Sequence, residues 1–128
     1  MSLVKVQWEF TQDIAKLIEF AAKNSVILTF GEAYRTKDQQ RLYYYGYEID
    51  LTDKKIGFIK TKRKSMTLQS NHLKRLAVDF NIFVNGRLTY KKEDTQFLGD
   101  FWESLREGNR WGGNFNSFID VPHFERVY

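Results

Sequence analysis

The sequence predicts an α+β fold, a small and mainly antiparallel sheet packed by about three helices, and three observations carry that prediction. Apolar residues recur at helical spacing in two well-separated stretches, Ile14, Leu17, Ile18 and Ala21, then Phe97, Leu98, Phe101, Trp102 and Leu105. Short apolar or alternating runs lie between them, at Val26–Phe30 and Leu76–Val84. Asn85-Gly86 is a strong two-residue hairpin turn, which joins successive strands antiparallel.

Taken in chain order, the first helix is expected over Thr11–Lys23, with Thr11 as N-cap, Asp13 favourable in the first turn and Asn24 as the stop. Val26–Phe30 reads as a buried strand ended by Gly31. A short second helix covers Thr36–Tyr45, with Gly46 as its C-terminal signal. Tyr47–Gln69 is the least regular stretch: Lys54, Lys55, Lys60, Lys62, Arg63 and Lys64 alternate with Ile56, Phe58 and Ile59, as in a surface flap or hairpin. Leu76–Val84 alternates as a strand, turns at Asn85-Gly86 and returns through Arg87–Tyr90. The third helix runs over Glu93–Arg106, Trp111-Gly112-Gly113 makes a tight turn, and Phe124–Tyr128 closes the sheet as a last strand. With no repeat, linker or low-complexity tract, residues 1–128 read as one domain.

Composition narrows the class. At 128 residues and 42% hydrophobic content the chain can build one core but not two. Eleven Phe, seven Tyr and three Trp bury much area with few residues, which argues against disorder. The absence of cysteine excludes disulfides, thiolate metal sites and cysteine nucleophiles. No apolar run approaches the roughly 20 residues of a membrane span, and the start shows no signal-peptide pattern. A net charge of +4 points to anionic partners without choosing among nucleic acid, phospholipid and wall polymer.

The chemistry concentrates at the only two histidines. His72 and Asp79 stand in Ser70-Asn71-His72-Leu73-Lys74-Arg75-Leu76-Ala77-Val78-Asp79, and His123 closes Asp120-Val121-Pro122-His123. Two imidazoles and one carboxylate make a catalytic zinc ligand set, with a spare carboxylate to serve as base. Pro122 forces Val121 toward an extended conformation, so Asp120 and His123 are not on a helix.

Ser-x-His-x6-Asp, then Trp-Gly-Gly-x-Phe, then Asp-x-x-His-Phe-Glu, resembles the zinc D-Ala-D-Ala carboxypeptidase and L-alanyl-D-glutamate endopeptidase family, over about Gly31–Glu125. That family includes phage endolysins, with hedgehog domains as distant fold relatives. The resemblance implies a hedgehog/D-Ala-D-Ala peptidase-like fold and one Zn2+ held by His72, Asp79 and His123. It makes Asp120 the catalytic base, Arg35 the residue that holds the substrate carbonyl or a carboxylate, and Ser70 a substrate contact or a support. It implies a monomeric metallopeptidase acting on bacterial peptidoglycan, by hydrolysis of L-Ala-D-Glu, with D,D-carboxypeptidase trimming of terminal D-Ala as the alternative. Without a signal peptide, such an enzyme is made in the cytoplasm and reaches the cell wall through a phage-type membrane pore.

One position departs from the motif: Arg75 stands where the family pattern has Gly, which leaves the residue either pointing outward or narrowing the approach to the site. Rival readings are a non-catalytic zinc-binding domain of the same fold and a basic nucleic-acid-binding domain, though no recognition-helix motif supports the latter and no nucleic acid is expected. Trp111 is expected to pack over its glycine turn. Tyr43-Tyr44-Tyr45-Gly46-Tyr47 could stack sugars, yet helical spacing should turn at least two of these rings toward the core.

Overall fold

The computed structural model describes all 128 residues. Three α-helices and seven strands follow in the order α1 (Leu3–Lys23), β1 (Val26–Phe30), α2 (Lys37–Tyr45), β2 (Tyr47–Thr52), β3 (Lys55–Lys60), β4 (Ala77–Val84), β5 (Arg87–Thr89), α3 (Lys92–Leu105), β6 (Asn109–Trp111) and β7 (His123–Arg126). The α+β class and the mainly antiparallel sheet are as the sequence implies.

The main sheet has the order β1-β4-β7-β6, with β5 beside the far end of β4. All of its pairings are antiparallel. Because side chains alternate along a strand, each strand divides its residues between two faces. Val78, Phe80 and Ile82 of β4, Phe124 of β7 and Trp111 of β6 belong to the core, where they join Val6, Phe10, Ile14, Leu17 and Ala21 of α1 and Leu98 and Trp102 of α3. Asp79, His123, Glu125 and Arg110 therefore share the opposite face. The helices build the core on one side of the sheet, and the chemistry-bearing residues are left together on the other.

The first helix begins eight residues before its expected start. Ser2, not Thr11, caps it, accepting from the Lys5 N–H at 3.3 Å, while the Thr11 hydroxyl bonds the Gln7 carbonyl at 3.0 Å. Val6 and Phe10 extend the apolar stripe by two turns, so tertiary packing carries the helix past a local cap signal. Asp13 is fully buried rather than simply placed in a first turn. It takes a two-point bond from Arg106, at 2.8 and 3.1 Å, and another from Asn109 at 3.2 Å. That cluster ties α1 to the chain leaving α3.

The second helix is capped by Thr36, whose hydroxyl accepts from the Gln39 N–H at 3.1 Å, and ends at Gly46 with φ 78°. The lysine-rich stretch forms the hairpin β2–β3, in which Tyr47, Ile49 and Leu51 face Lys60, Phe58 and Ile56 across the pair. Contrary to expectation, none of the three consecutive tyrosines of α2 enters the core. Two of the rings instead carry cations, Arg35 and Lys64 on Tyr43 and Arg63 on Tyr44, and Tyr45 packs edge-on against Tyr44. The physical reason is that α2 packs against this basic segment instead of against the main sheet. No helix of the protein is long and apolar enough to cross a membrane.

Trp111 is fully buried, as its glycine-rich surroundings suggest, and its indole N–H donates to the Val121 carbonyl at 2.8 Å. This bond anchors the loop between β6 and β7 at Val121, between Asp120 and His123.

Candidate active site

His72 lies on a one-turn 3-10 helix, Asn71–Lys74. Ser70 caps that turn, its hydroxyl accepting from the His72 N–H at 3.2 Å. Arg75 ends the turn with φ 58° and ψ 35°, the left-handed region that glycine occupies without cost. This explains why the family pattern has Gly there. The side chain of Arg75 is exposed and stacks on Tyr34 at 4.0 Å, so the departure is accommodated at the surface.

Asp79 and His123 face one another directly across β4 and β7. The backbone of Asp79 is clamped from the chain after β1: its carbonyl accepts from Gly31 at 2.7 Å, and its N–H donates to the Glu32 carbonyl at 2.8 Å. His72 Nε2 stands 3.4 Å from Asp79 Oδ2, and His123 Nδ1 stands 3.0 Å from Asp79 Oδ1. Ligand atoms of the three residues all lie within 4.8 Å of one another. Bonds of about 2.1 Å to a tetrahedral zinc imply ligand separations of ~3.4 Å, so the set has the dimensions such an ion needs.

The outer nitrogens support the same fit. His72 Nδ1 is 2.6 Å from the Ala33 carbonyl, which can only accept, so that nitrogen carries a proton and Nε2 is left for the ion. His123 is arranged the other way round. Its Nε2 is 2.7 Å from Glu125 Oε1, and its Nδ1 faces Asp79. A carboxylate or carbonyl behind each imidazole is the usual means of fixing tautomer and orientation at a metal.

Glu125 is the residue that sequence reasoning missed. It is buried, paired to Arg110 across the β6–β7 ladder, and its Oε2 accepts from Arg110 Nε at 3.0 Å. The signal was present: one residue separates it from His123 on a strand, which puts both on one face.

Electrostatics follow from this packing. Burial opposes charge on His123, but hydrogen bonds and the charges of Asp79 and Glu125 outweigh it and raise its pKa to about 9. Burial likewise disfavours ionised Asp79 and Glu125. The two histidines nonetheless hold Asp79 well below the usual carboxylate range, and His123 with Arg110 hold Glu125 down at about 2.

Asp120 stands off the ligand set, with Oδ2 3.9 Å from His123 Nδ1. Burial, reinforced by the Asp79 charge against opposition from His123, pushes its carboxyl above the ordinary value. Gly112 makes its position possible. A Cβ there would lie 2.1 Å from the Asp120 carbonyl oxygen and 2.9 Å from His123 Cβ, and the Asp120 N–H donates to the Gly112 carbonyl at 2.8 Å.

Arg35 packs at the same site, its backbone N–H donating to the His72 carbonyl at 3.3 Å. The guanidinium is held by Glu32 through Nε and by Gln40 Oε1 at 2.8 Å through Nη1. Buried Gln40 in turn donates to Ser65 and Thr67, which fixes the start of the segment leading to Ser70. Thus His72, Asp79, His123, Asp120 and Arg35 converge, whereas the Ser70 hydroxyl is turned to the His72 backbone.

Comparison with known proteins agrees with this fold. The solved Serratia marcescens L-Ala D-Glu endopeptidase ChiX matches with a TM-score of 0.62 and 21% identity over 91% of this chain and 79% of that one, a likeness of fold. The model of a family described as D-alanyl-D-alanine carboxypeptidase matches residues 63–126, half of the 128-residue chain. Both histidines and both facing aspartates fall inside that span, and the chain belongs to the D-alanyl-D-alanine carboxypeptidase family.

Proposed function

We propose that residues 1–128 form one zinc peptidase domain that hydrolyses the L-Ala–D-Glu bond of peptidoglycan stem peptides. The observation that carries the reading is the convergence of His72 Nε2, His123 Nδ1 and an Asp79 oxygen, each imidazole already engaged on its other nitrogen. Zinc bound there supplies Lewis acidity toward the scissile carbonyl and toward water.

The chain's own groups do the rest. Asp120 lies beside the ligands without belonging to them, close enough to take a proton from the attacking water and return it to the leaving amine. Burial makes it a stronger base than an exposed aspartate. Arg35, locked through Nε and Nη1, has Nη2 left to meet the carbonyl oxygen as negative charge develops or to pair a substrate carboxylate. Ser70 acts on the site by capping the turn that carries His72. The net charge of +4 favours approach to anionic wall polymers, in keeping with an endolysin-type role for a monomer.

Digestion of purified peptidoglycan by the zinc-loaded protein, with and without chelator, tests this by mass spectrometry of the fragments. New N-termini at D-Glu, lost on chelation and restored by zinc, are expected. Release of terminal D-Ala alone would move the activity to the carboxypeptidase branch, and no cleavage by a protein holding one zinc would overturn the peptidase reading.

A further inference from the structure

Beyond His123, at the β6 edge of the sheet, lies a pocket of about 430 Å³ bounded by the end of α3, by β6 and by the loop that follows it. Phe115 forms the wall toward the active site, with its ring 5.8 Å from the His123 ring. Arg110 lies over Phe115 at 5.5 Å and is half exposed, even though Glu125 engages it. Glu103 accepts from the Trp111 N–H and from the Asn114 side-chain amide, both at 3.0 Å. Exposed Asn116 and Ser117 add an amide and a hydroxyl.

The lining selects its ligand class. The one cation, Arg110, is neutralised by Glu125, and Glu103 adds a further carboxylate, so nothing here favours an anion. What remains is an aromatic face surrounded by amide, hydroxyl and carboxylate groups able both to donate and to accept. That combination suits a neutral ring bearing hydroxyls and an acetamido group.

We propose that this pocket binds the amino sugar that carries the stem peptide. The inference rests on the L-Ala–D-Glu reading and deepens it. In peptidoglycan the L-Ala nitrogen is acylated by the lactyl group of muramic acid, so cleavage after L-Ala leaves only that residue and the lactyl linker between the reacting carbonyl and the sugar. A terminal D-Ala lies at the far end of the stem. The 5.8 Å between Phe115 and His123 is less than two extended residues at about 3.3–3.6 Å each, which is the reach the first bond requires and the last bond does not.

The test titrates the zinc-loaded protein with the peptide-free disaccharide GlcNAc–MurNAc, its lactyl carboxyl capped as the methylamide so that the ligand is neutral as in the substrate, and follows backbone and side-chain amides by NMR. Saturable shifts confined to residues 110–117 are expected, weakened about tenfold in the double variant Asn116→Ala/Ser117→Ala as polar contacts are lost. On the enzymatic side, a muramyl-linked stem peptide should have a KM about tenfold below that of the N-acetyl peptide lacking the sugar, and the double variant should bring the two together. Shifts elsewhere, no shifts at the solubility limit, or equal KM values in the parent protein would overturn the proposal. Because the disaccharide has no stem peptide, sugar binding without any hydrolysis would sink the endopeptidase reading alone, and hydrolysis without sugar binding would sink the pocket alone.

Discussion

His123 lies between two carboxylates, and its proton makes metal binding depend on pH in a way that can be calculated. In the metal-free protein its pKa is about 9, so at pH 7 the imidazole is almost entirely charged. Zinc takes only the neutral ring, and binding must expel about one proton. The apparent affinity should then rise tenfold per pH unit from 7 to 9, about a hundredfold in all or ~2.7 kcal/mol, and level off above 9. Calorimetry at pH 7 in buffers of different ionisation enthalpy reads that proton directly. The same shift has a stability consequence. A histidine raised from 6.5 to about 9 on folding contributes stability that is fully present below 6.5 and is lost as pH rises through 9, about 3 kcal/mol at most. Asp79 and Glu125 act in the opposite sense: their depressed values contribute stability above the ordinary carboxylate range that is lost as pH falls through about 2 for Glu125 and lower for Asp79. Metal-free protein should therefore be most stable between about pH 4.5 and 6.5, with a melting temperature that declines toward pH 9. Saturating zinc should remove the alkaline decline. No proton released at pH 7, together with flat affinity from pH 7 to 9, would refute the reasoning.

Other expectations follow from single contacts. Glu125→Gln removes the charge behind His123 and should weaken zinc affinity 10–100-fold, read by competition with a chelating dye; unchanged affinity would show that the contact does not tune the ligand. Gly112→Ala forces a Cβ to 2.1 Å from the Asp120 carbonyl and 2.9 Å from His123 Cβ, so kcat on a muropeptide should fall about 10²-fold; full activity would mean that Asp120 and His123 need not hold their places. Asp13→Ala leaves Arg106 and Asn109 facing a buried gap and should cost about 3–5 kcal/mol in urea unfolding; a loss under about 1 kcal/mol would assign the cluster little role in holding α1.

How much of this was legible depended on whether a local pattern carried the information. The Asn85-Gly86 turn, with φ of 53° and 74°, and the Gly46 stop of α2, with φ 78°, are local, and they stand where sequence puts them. The convergence of His72, Asp79 and His123 was legible through the family motif, since spacing along the chain cannot state which strands lie side by side. The early start of α1 was not legible from its caps, because Thr11 offers a good one; the decision is made by Trp102, which packs edge-on against Phe10 at 5.6 Å from almost the far end of the chain. The tyrosine run misled for the same reason. Three consecutive rings fan out around a helix, and only the tertiary fold reveals that those of Tyr43 and Tyr44 meet Arg35, Lys64 and Arg63. Glu125 needed both kinds of knowledge, the alternation of a strand and the neighbouring position of Arg110.

The central claim, that three residues hold zinc while Asp120 moves the proton, is tested most directly by a pair of variants measured for metal and turnover together. Asp120→Ala should retain one zinc per chain by mass spectrometry under native conditions and lose muropeptide hydrolysis by at least the 10²–10⁴-fold typical of a general base. His72→Ala should lose both. Loss of zinc from Asp120→Ala would make that residue a ligand, and retained hydrolysis in either variant would contradict the account.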